Sequence, residues 1–391
     1  MTSLASDLDG FSRSLKERFQ NCYHATPRVF IAPGRVNLIG EHTDYNDGFV
    51  MPAAIDRYTM VAVSESSNQV LSVSSDQYAD TVELPLNALK GAPRKHWSDY
   101  IRGVAALLQA RGAVLSGANI VISSQVPLGA GLSSSASLEV SVALALATIS
   151  GHRINDMDLA RLCQTAEHEF AGTRCGIMDQ FIVVFGQAGR ALMLDCRSLE
   201  SQSFVSPVEL RIVICNSMVK HEHAAGEYNR RREDCELGVK VLRQYLPKIR
   251  ALRDVTLSDL QAHQAQLPPQ VYRRCRHVIT ENQRVLDAAA ALQSGDLDAF
   301  SRLMHESHQS LRDDYEVSCR ELDVLVELAS HCKGVFGSRM TGGGFGGCTV
   351  NLVTTEQVDT FQSVVSQRYK QATGKDCEVY VCSAAQGARA L

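Results

Sequence analysis

The chain has little of what marks secreted, membrane or nucleic-acid-binding proteins. Of its 391 residues only 6% are aromatic, and the formal net charge of −4 leaves no basic excess for binding nucleic acid. The longest aliphatic stretch, Val142 to Thr148, falls far short of the roughly 20 residues of a membrane span. The amino terminus carries Asp7 and Asp9 where a signal peptide needs a positive start. We therefore expect a cytoplasmic protein with no nucleic-acid partner and no membrane partner.

Disulfide bonds are not expected either. The twelve cysteines are scattered, and no two of them form a Cys-x-x-Cys pair. A chain of this length can bury a large core without covalent cross-links. We predict reduced and mostly buried thiols.

Composition and element order indicate two globular domains of the α+β class. The residues are 45% hydrophobic and 21% charged, which is typical of globular proteins, and 391 residues suffice for two or three domains. Strand patterns dominate the first third, whereas the second half is rich in helices and closes with a strand–strand–helix–strand order. That order predicts an antiparallel sheet covered by helices. We place the domains at residues 1–205 and 206–391, with a crossing at Val205–Arg211.

Hydrophobic periodicity predicts the individual elements. The predicted strands are Val29–Ala32, Phe49–Ile55, Thr59–Val63, Asn119–Ser123, Ala191–Asp195, Gly334–Met340, Cys348–Val353 and Cys377–Cys382. The predicted helices are Trp97–Arg111, Ser133–Gly151, Asp156–Phe170, Glu222–Tyr245, Pro269–Gln293, Leu297–Arg312, Cys319–Cys332 and Glu356–Thr373. The helix from Ser133 is apolar nearly all round, which predicts that it is buried.

The segment Pro127-Leu-Gly-Ala-Gly-Leu-Ser-Ser-Ser-Ala136 predicts an anion site. A glycine turn leads directly into a helix whose first turn is a run of serines. The first N–H groups of a helix have no intrahelical partner, and the helix dipole adds about half a positive charge there. Serine hydroxyls can cap the helix, donate to a phosphate or bind Mg²⁺. The alternative is a capped core helix after a tight turn.

Two other phosphate-binding loops do not fit. Gly374-Lys375 lacks the upstream glycine of a Walker A loop. Gly342, Gly344 and Gly347 spell Gly-x-Gly-x-x-Gly, but a predicted strand follows them where a dinucleotide-binding loop needs a helix. We interpret this loop as a close approach beside a ligand, with a mobile hairpin as the alternative.

A dense polar loop follows the first predicted strand and carries Arg35, Glu41, His42 and Asp44. Polar groups held between apolar residues can supply the several directed hydrogen bonds that a polyhydroxylated ligand needs. A solvated charged loop is the alternative. Further along, Glu167 on a predicted helix and an acid at position 179 after a glycine turn suit a metal ligand and a base. Ordinary acids on a helix surface would give the same pattern.

Taken in this order, the motifs resemble those of the GHMP kinase family. Gly34–Asn46 resembles the signature of the family branch that acts on galactose, and Cys175–Phe181 and Thr341–Gly347 extend the resemblance over the whole chain. Many members of that branch have three glycines where this chain has Gly129-Ala130-Gly131.

The resemblance implies a two-domain fold with a ribosomal-protein-S5-like amino-terminal domain, a ferredoxin-like carboxy-terminal domain and an active site in the cleft. It further implies transfer of the γ-phosphate of ATP to the C1 hydroxyl of α-D-galactose, with Mg²⁺ as cofactor. The implied products are galactose 1-phosphate and ADP. The implied reaction is the first committed step of galactose catabolism. We expect a monomer or a weak homodimer.

The resemblance also assigns roles to residues. The implied galactose-binding residues are Arg35, Glu41, His42, Asp44, Gly176, Asp179 and Tyr228. The implied ATP-binding residues are Gly129, Gly131, Ser133, Ser134 and Ser135 at the phosphates and Trp97 and Tyr100 at the adenine, although a tryptophan that opens a helix is often plain core. Ser135 and Glu167 are the implied protein contacts of Mg²⁺. Asp179 is the predicted catalytic base, and Arg35 is its predicted catalytic partner, a cation that keeps the carboxylate ionised.

Three alternatives remain at this point. A kinase for N-acetylgalactosamine or another sugar would use the same motifs. A non-catalytic sensor of galactose and ATP is a second alternative, but such relatives lack residues of the serine motif that this chain retains as Ser133–Ser137, together with Asp179. A mevalonate kinase would not need the acidic and histidine cluster of the polar loop.

Overall fold

The computed structural model describes residues 4–207, 209–219 and 224–391. Its strands form three sheets. The six-stranded sheet has the order β13-β1-β3-β6-β4-β5, the four-stranded sheet β10-β11-β9-β12, and the three-stranded sheet β2-β7-β8. The strands are β1 (Arg28–Asn37), β2 (Phe49–Val50), β3 (Pro52–Ser66), β4 (Val70–Ser75), β5 (Asp80–Pro85), β6 (Gly117–Ser124), β7 (Arg190–Asp195), β8 (Ser201–Val205), β9 (Leu210–Asn216), β10 (Val335–Thr341), β11 (Cys348–Thr354), β12 (Glu378–Cys382) and β13 (Arg389–Ala390).

Helices cover these sheets. They are α1 (Leu4–Tyr23), α2 (Ser98–Ala110), α3 (Ser134–Ile149), α4 (Asp156–Ala166), α5 (Met178–Phe185), α6 (Ala224–Leu242), α7 (Leu257–Ala262), α8 (Pro269–Ser294), α9 (Leu297–Asp313), α10 (Arg320–Ser330) and α11 (Val358–Thr373). The helices predicted from periodicity all appear, with ends shifted by a few residues. The predicted start of one helix at Glu222 lies outside the described residues.

The first sheet is longer and more continuous than predicted. The prediction that the first strand stops at Pro33-Gly34 is wrong, because β1 continues to Asn37 through a register shift between these two residues. Pro33 pairs with Tyr58 and Gly34 with Ile55, so the extra residues of β3 bulge out of the ladder there. The predicted gap between two strands is therefore a bulge within the single strand β3.

Both faces of this sheet are covered. Phe30, Val61 and Ile120 face a core that also contains side chains of α2, α3 and α4. The alternate residues Ile31 and Met60 pack against α1 on the opposite face, as the period of two in a strand requires. The prediction that the helix from Ser133 is buried is confirmed, because eleven of its residues between 136 and 147 are buried. α1, β4 and β5 were not predicted, although Leu4, Leu8, Phe11, Leu15 and Phe19 of α1 recur at helical spacing.

The closing part of the chain forms the predicted antiparallel sheet. All pairs among β9, β10, β11 and β12 are antiparallel. β9 begins at Leu210, inside the predicted crossing at Val205–Arg211, and the crossing between domains stays a prediction. α10 and α11 cover one face of this sheet. The division at residues 205 and 206 stays a prediction, and β13 returns to pair with β1 of the first sheet.

The cysteines and the lengths of the helices bear on the predictions about disulfide bonds and membrane spans. The twelve cysteines are all free, and most are buried or half-buried. Among the described residues, no helix combines the length and apolar character needed to cross a membrane.

Candidate active site

Nearly all of the predicted site residues line one cavity of about 520 Å³. Loops that follow β1, β6 and β10 form its walls together with side chains of α2, α5 and α6. The predicted residues that line it are Arg35, Glu41, His42, Asp44, Trp97, Tyr100, Gly129, Gly131, Ser133, Ser134, Ser135, Glu167, Asp179 and Tyr228. Of the predicted set, Gly176 alone is outside this lining, and it packs behind Asp44.

Arg35 and Asp179 form a bidentate ion pair at the centre of the cavity. The Arg35 Nε atom lies 2.8 Å from Asp179 Oδ1, and Nη2 lies 2.7 Å from Oδ2. The Ser133 hydroxyl donates to the same Oδ2 atom at 2.6 Å, and Arg35 Nη1 donates to the Gly131 carbonyl at 2.5 Å. This cluster joins β1, α5 and the glycine–serine loop, although the three segments are far apart in sequence. A carboxylate held by a planar fork in this way has a fixed orientation.

The glycine–serine loop leaves the amino terminus of α3 open. Ser133 adopts a left-handed conformation with φ of 59°, and its hydroxyl makes no cap hydrogen bond to α3 because it is bound to Asp179. Gly129 and Gly131 are also left-handed, with φ of 69° and 75°. The first N–H groups of α3 are therefore not satisfied by the side chain that normally caps a helix, which favours an anionic ligand.

Glu167 lies beside this helix terminus. It opens a π-helical turn, Glu167–Ala171, within the segment that we predicted as regular helix, and such turns are frequent at functional sites. Its Oε1 atom accepts from the Ser135 hydroxyl at 3.1 Å, and Oε2 accepts from Gln180 Nε2 at 2.8 Å. Burial, reinforced by the charge of Asp179, raises the pKa of Glu167 to about 7.

Ser135 and Glu167 fit a magnesium site of the kind that nucleotide-binding enzymes use. Both offer oxygen atoms, and both line the cavity next to the amino terminus of α3. Within the described residues there is no cluster of three or more acidic, histidine or cysteine side chains that could hold a metal. Mg²⁺ prefers oxygen ligands and is commonly bound by one or two protein groups together with phosphate oxygens. Two protein ligands therefore suit a metal that arrives with a nucleotide.

Glu41 is buried at 2% exposure and is held from the carboxy-terminal half of the chain. Its Oε1 atom accepts from the Gly342 N–H at 2.7 Å and from the Thr341 hydroxyl at 3.2 Å. Arg339 Nη1 lies 3.5 Å from the same atom. The polar loop after β1 is therefore anchored to the end of β10 and is not a solvated charged loop.

Asp44 and Gly176 are neighbours. A Cβ atom at position 176 would lie 2.0 Å from Asp44 Oδ2, so only glycine leaves room for this carboxylate. Asp44 Oδ1 accepts from the Tyr45 N–H at 3.0 Å. Burial, reinforced by the charge of Asp179, raises the pKa of Asp44 to about 7.

His42 lies in an aromatic environment. Its ring centroid is 4.7 Å from that of Tyr315 and 5.4 Å from that of Tyr228, and Nδ1 lies 2.8 Å from the Tyr45 hydroxyl. Burial and the neighbouring His277 hold the pKa of His42 well below its ordinary value. His42 is therefore neutral, and hydrogen bonding decides which of its two ring nitrogens carries the proton.

Aromatic side chains line the far end of the cavity. Trp97 and Tyr78 are stacked, with ring centroids 4.8 Å apart and planes 5° apart, and Tyr100 lines the cavity beside them. Trp97 is 8% exposed and belongs to the core as well. Trp97 therefore packs in the core and also lines the cavity, and its contact with the adenine stays a prediction.

The second glycine loop closely approaches the glycine–serine loop, and the ligand that we expect beside it stays a prediction. A Cβ atom on Gly342 would lie 2.6 Å from the Gly131 carbonyl oxygen, and one on Gly347 would lie 2.9 Å from the Ala130 carbonyl oxygen. Both glycines have positive φ, at 87° and 80°. This loop therefore packs backbone to backbone against the glycine–serine loop, which larger residues would prevent.

Several residues of the site were not predicted. Tyr78 lines the cavity from the loop between β4 and β5, and Gln180 bridges Glu167 to the fully buried Glu139. Gln180 follows Asp179 directly in sequence, which was an available signal. Nothing in the local sequence marks Tyr78 or Glu139, because their positions depend on packing between distant segments.

Three family models match successive segments of the chain. The "Galactokinase galactose-binding signature" matches residues 17–65, "GHMP kinases N terminal domain" matches residues 99–187, and "GHMP kinases C terminal" matches residues 288–371. The galactokinase of Roseiflexus sp. (strain RS-1) is 49% identical over 95% of both chains. That of Haemophilus influenzae (strain Rd) is 42% identical over 97% of this chain and 99% of its own.

Solved structures share the fold. Lactococcus lactis galactokinase complexed with galactose superposes with a TM-score of 0.93 at 33% identity, covering 97% of this chain and all of the other. The mevalonate kinase of Methanococcus jannaschii, at 19% identity and a TM-score of 0.65 over 92% of this chain and 98% of its own, shares the fold alone. The fold class implied by the sequence motifs is confirmed, and the chain belongs to the galactokinase family of the GHMP kinases.

Proposed function

We propose that this chain transfers the γ-phosphate of ATP to the C1 hydroxyl of α-D-galactose, giving galactose 1-phosphate and ADP. The observation that carries the proposal is the cluster of Arg35, Asp179 and Ser133. It lies where the polar loop, suited to a sugar, meets the glycine–serine loop, suited to phosphates. One cavity can therefore hold an acceptor hydroxyl and a phosphoryl group side by side.

Asp179 is the proposed base for the acceptor hydroxyl, and Arg35 orients it. Phosphoryl transfer proceeds through a loose transition state that needs alignment and neutralisation of charge. The bidentate pair with Arg35 holds both oxygens of Asp179, and in this proposal the proton moves late, once the new O–P bond has begun to form. In this proposal Arg35 also stabilises charge on the transferred group.

The proposed nucleotide site follows the other wall of the cavity. Gly129, Gly131 and the serines 133–135 surround the amino terminus of α3, whose N–H groups can donate to phosphate oxygens. Trp97 and Tyr100 offer aromatic surface to the adenine. Mg²⁺, held by Ser135 and Glu167, would neutralise charge on the phosphates when bound.

The proposed sugar site uses Glu41, His42, Asp44 and Tyr228. Two carboxylates can accept hydrogen bonds from sugar hydroxyls, and a neutral histidine and a tyrosine can donate or accept. Gly176 contributes by leaving space for Asp44. The 42–49% identity to curated galactokinases over most of the chain supports galactose as the acceptor.

A cytoplasmic location and a monomeric or weakly dimeric state belong to the same proposal. Twelve free cysteines suit a reducing compartment. Sedimentation equilibrium of the purified protein at two concentrations measures the oligomeric state directly.

The experiment that tests the proposed function is a substrate panel. The purified protein is incubated with Mg-ATP and galactose, glucose, talose, N-acetylgalactosamine or mevalonate, ADP release is followed, and the phosphorylated product is identified by NMR. We expect galactose 1-phosphate as the dominant product. Preferred turnover of N-acetylgalactosamine would replace the acceptor, and binding of galactose and ATP without turnover would indicate a sensor.

A further inference from the structure

We propose that Arg339 is a positioning residue for sugar recognition, because it fixes the carboxylate of Glu41 from the side opposite the cavity. The inference rests on the proposed function, in that it takes Glu41 as an acceptor for a sugar hydroxyl. Arg339 does not line the cavity. Its effect on the sugar would pass entirely through Glu41 and the polar loop.

Arg339 on β10 is fully buried. Its side chain is 0% exposed, and Nη1 donates to the Asn37 carbonyl at 2.9 Å and lies 3.5 Å from Glu41 Oε1. Its Nε and Nη2 atoms have no hydrogen-bond partner among the described residues. A guanidinium that is buried and only partly paired is costly, so a role in stability alone is a poor explanation for it. The buried acids near it are Glu41 and Glu281.

The two oxygens of Glu41 differ in their hydrogen-bond partners. Oε1 receives the Gly342 N–H, the Thr341 hydroxyl and Arg339 Nη1. The Thr341 hydroxyl has one hydrogen and lies 3.2 Å from both Glu41 Oε1 and the Asn37 carbonyl, so it is shared between them. Together with the Gly342 N–H and Arg339 Nη1 it restrains the rotation of the carboxylate and leaves Oε2 as the acceptor for a ligand in the cavity. Without Arg339, the carboxylate would lose its charged partner and part of this rotational restraint.

A second buried arginine, Arg274, allows a positioning role to be distinguished from a merely structural one. Arg274 is also buried, at 1% exposure, and it likewise donates to a main-chain carbonyl and a carboxylate, those of Asp314 and Glu316. It does not line the cavity. Arg274→Met therefore removes an equally buried arginine and serves as the matched control for Arg339→Met.

The test measures binding of galactose and of its 2-, 3-, 4- and 6-deoxy derivatives by calorimetry, together with KM for galactose and for ATP. In the wild type, the derivative that lacks the hydroxyl bound by Glu41 should lose about tenfold or more in affinity, as expected for a hydrogen bond to a charged group. In Arg339→Met we expect about tenfold to a hundredfold weaker galactose binding, with KM for ATP within about twofold. In Arg339→Met, removing the hydroxyl bound by Glu41 should reduce the affinity by a smaller factor than it does in the wild type. Removing any other hydroxyl should reduce the affinity by the same factor in both proteins, because only interacting groups have non-additive effects.

Other variants keep the proposal testable if Arg339→Met does not fold. Thr341→Val removes the hydroxyl that lies 3.2 Å from Glu41 Oε1 and that accepts from the Asn37 N–H at 3.0 Å. It should show the same deoxy-sugar pattern, whereas Thr341→Ser keeps the hydroxyl and both contacts and should behave as wild type. Arg339→Lys keeps the charge without the planar fork and should be intermediate.

Two outcomes would overturn the proposal. In one, Arg339→Met and Thr341→Val bind galactose within about twofold of wild type. In the other, the affinities for galactose, for all of its deoxy derivatives and for ATP fall by similar factors, which is the pattern expected of a purely structural substitution such as Arg274→Met. If the wild type does not phosphorylate galactose, the proposed function fails, and that result is separate from the ratios between variant and wild type that test Arg339.

Discussion

Replacing Asp44 by asparagine is expected to stabilise the ligand-free protein at pH 8 while weakening its use of galactose. Burial, with the charge of Asp179 beside it, raises the pKa of Asp44 from 3.8 to about 7. The ionised carboxylate is therefore an unfavourable group in the empty site. Asparagine keeps an oxygen that can accept from the Tyr45 N–H and removes the charge.

The expected change in the free energy of unfolding follows from the linkage between proton binding and folding. A carboxyl that titrates near pH 7 in place of 3.8 costs at most about 4 kcal/mol once ionised, at about 1.4 kcal/mol per pH unit. Asp44 is partly exposed, and solvent reduces this cost, so we expect about 1–2 kcal/mol. Between pH 4 and pH 7 the folded state binds more protons at this site than the unfolded chain does, so the wild type loses stability as pH rises through this window. The advantage of Asp44→Asn should grow over the same window and level off above pH 7.

The assay is thermal unfolding of both proteins at pH 5, 6, 7 and 8 without ligands. At pH 8 we expect the midpoint of Asp44→Asn to be higher by about 2 °C or more, with a smaller difference at pH 5. Asp287→Asn, on an exposed position of α8, is the control and should show no such trend. A variant that is less stable than wild type at pH 8, or a difference that does not change with pH, would refute the reasoning.

Three further substitutions test the remaining assignments. Asp179→Asn should reduce kcat by about a hundredfold or more while galactose affinity stays within about tenfold, and a variant that keeps over a tenth of the wild-type kcat would exclude Asp179 as the base. Gly176→Ala should weaken galactose binding by about tenfold or more in calorimetry, because the added Cβ meets Asp44 at 2.0 Å, whereas Gly226→Ala, in open space, should bind normally. Glu167→Gln should raise the Mg²⁺ concentration for half-maximal rate by about tenfold or more yet strengthen the binding of metal-free ATP, and a parallel weakening of both would contradict its role as a ligand.

The local motifs were predictable because each lies in one short segment. The glycine–serine loop, the polar loop and the acid at position 179 depend on neighbours within a few residues, so their chemistry can be recognised in the sequence. What the sequence does not reveal is which of these segments meet. Glu41 is bound by Gly342, 301 residues further along, and no period or spacing encodes that contact.

The errors in predicting the fold from the sequence also arise from contacts between distant segments or from ambiguous local patterns. The strand prediction stopped at Pro33-Gly34 because proline and glycine usually end strands, whereas the paired strand absorbs them with a bulge. The α5 helix was missed because it has eight residues and an apolar sequence, which periodicity cannot distinguish from a buried strand. The error at α5 affects the site, because this helix carries Asp179 in its first turn.

The charges around the cavity explain why a nucleotide would need both the helix terminus and a divalent cation. Glu41, Asp44, Glu167 and Asp179 line it, and Arg35 is the only arginine or lysine among its described lining residues. ATP adds about four negative charges to this surface, and like charges in a partly buried site repel strongly. The amino terminus of α3 offsets part of this repulsion, and Mg²⁺ at Glu167 would offset more. Because the carboxylate of Glu167 attracts the metal and repels the bare nucleotide, neutralising it should change the two affinities in opposite directions.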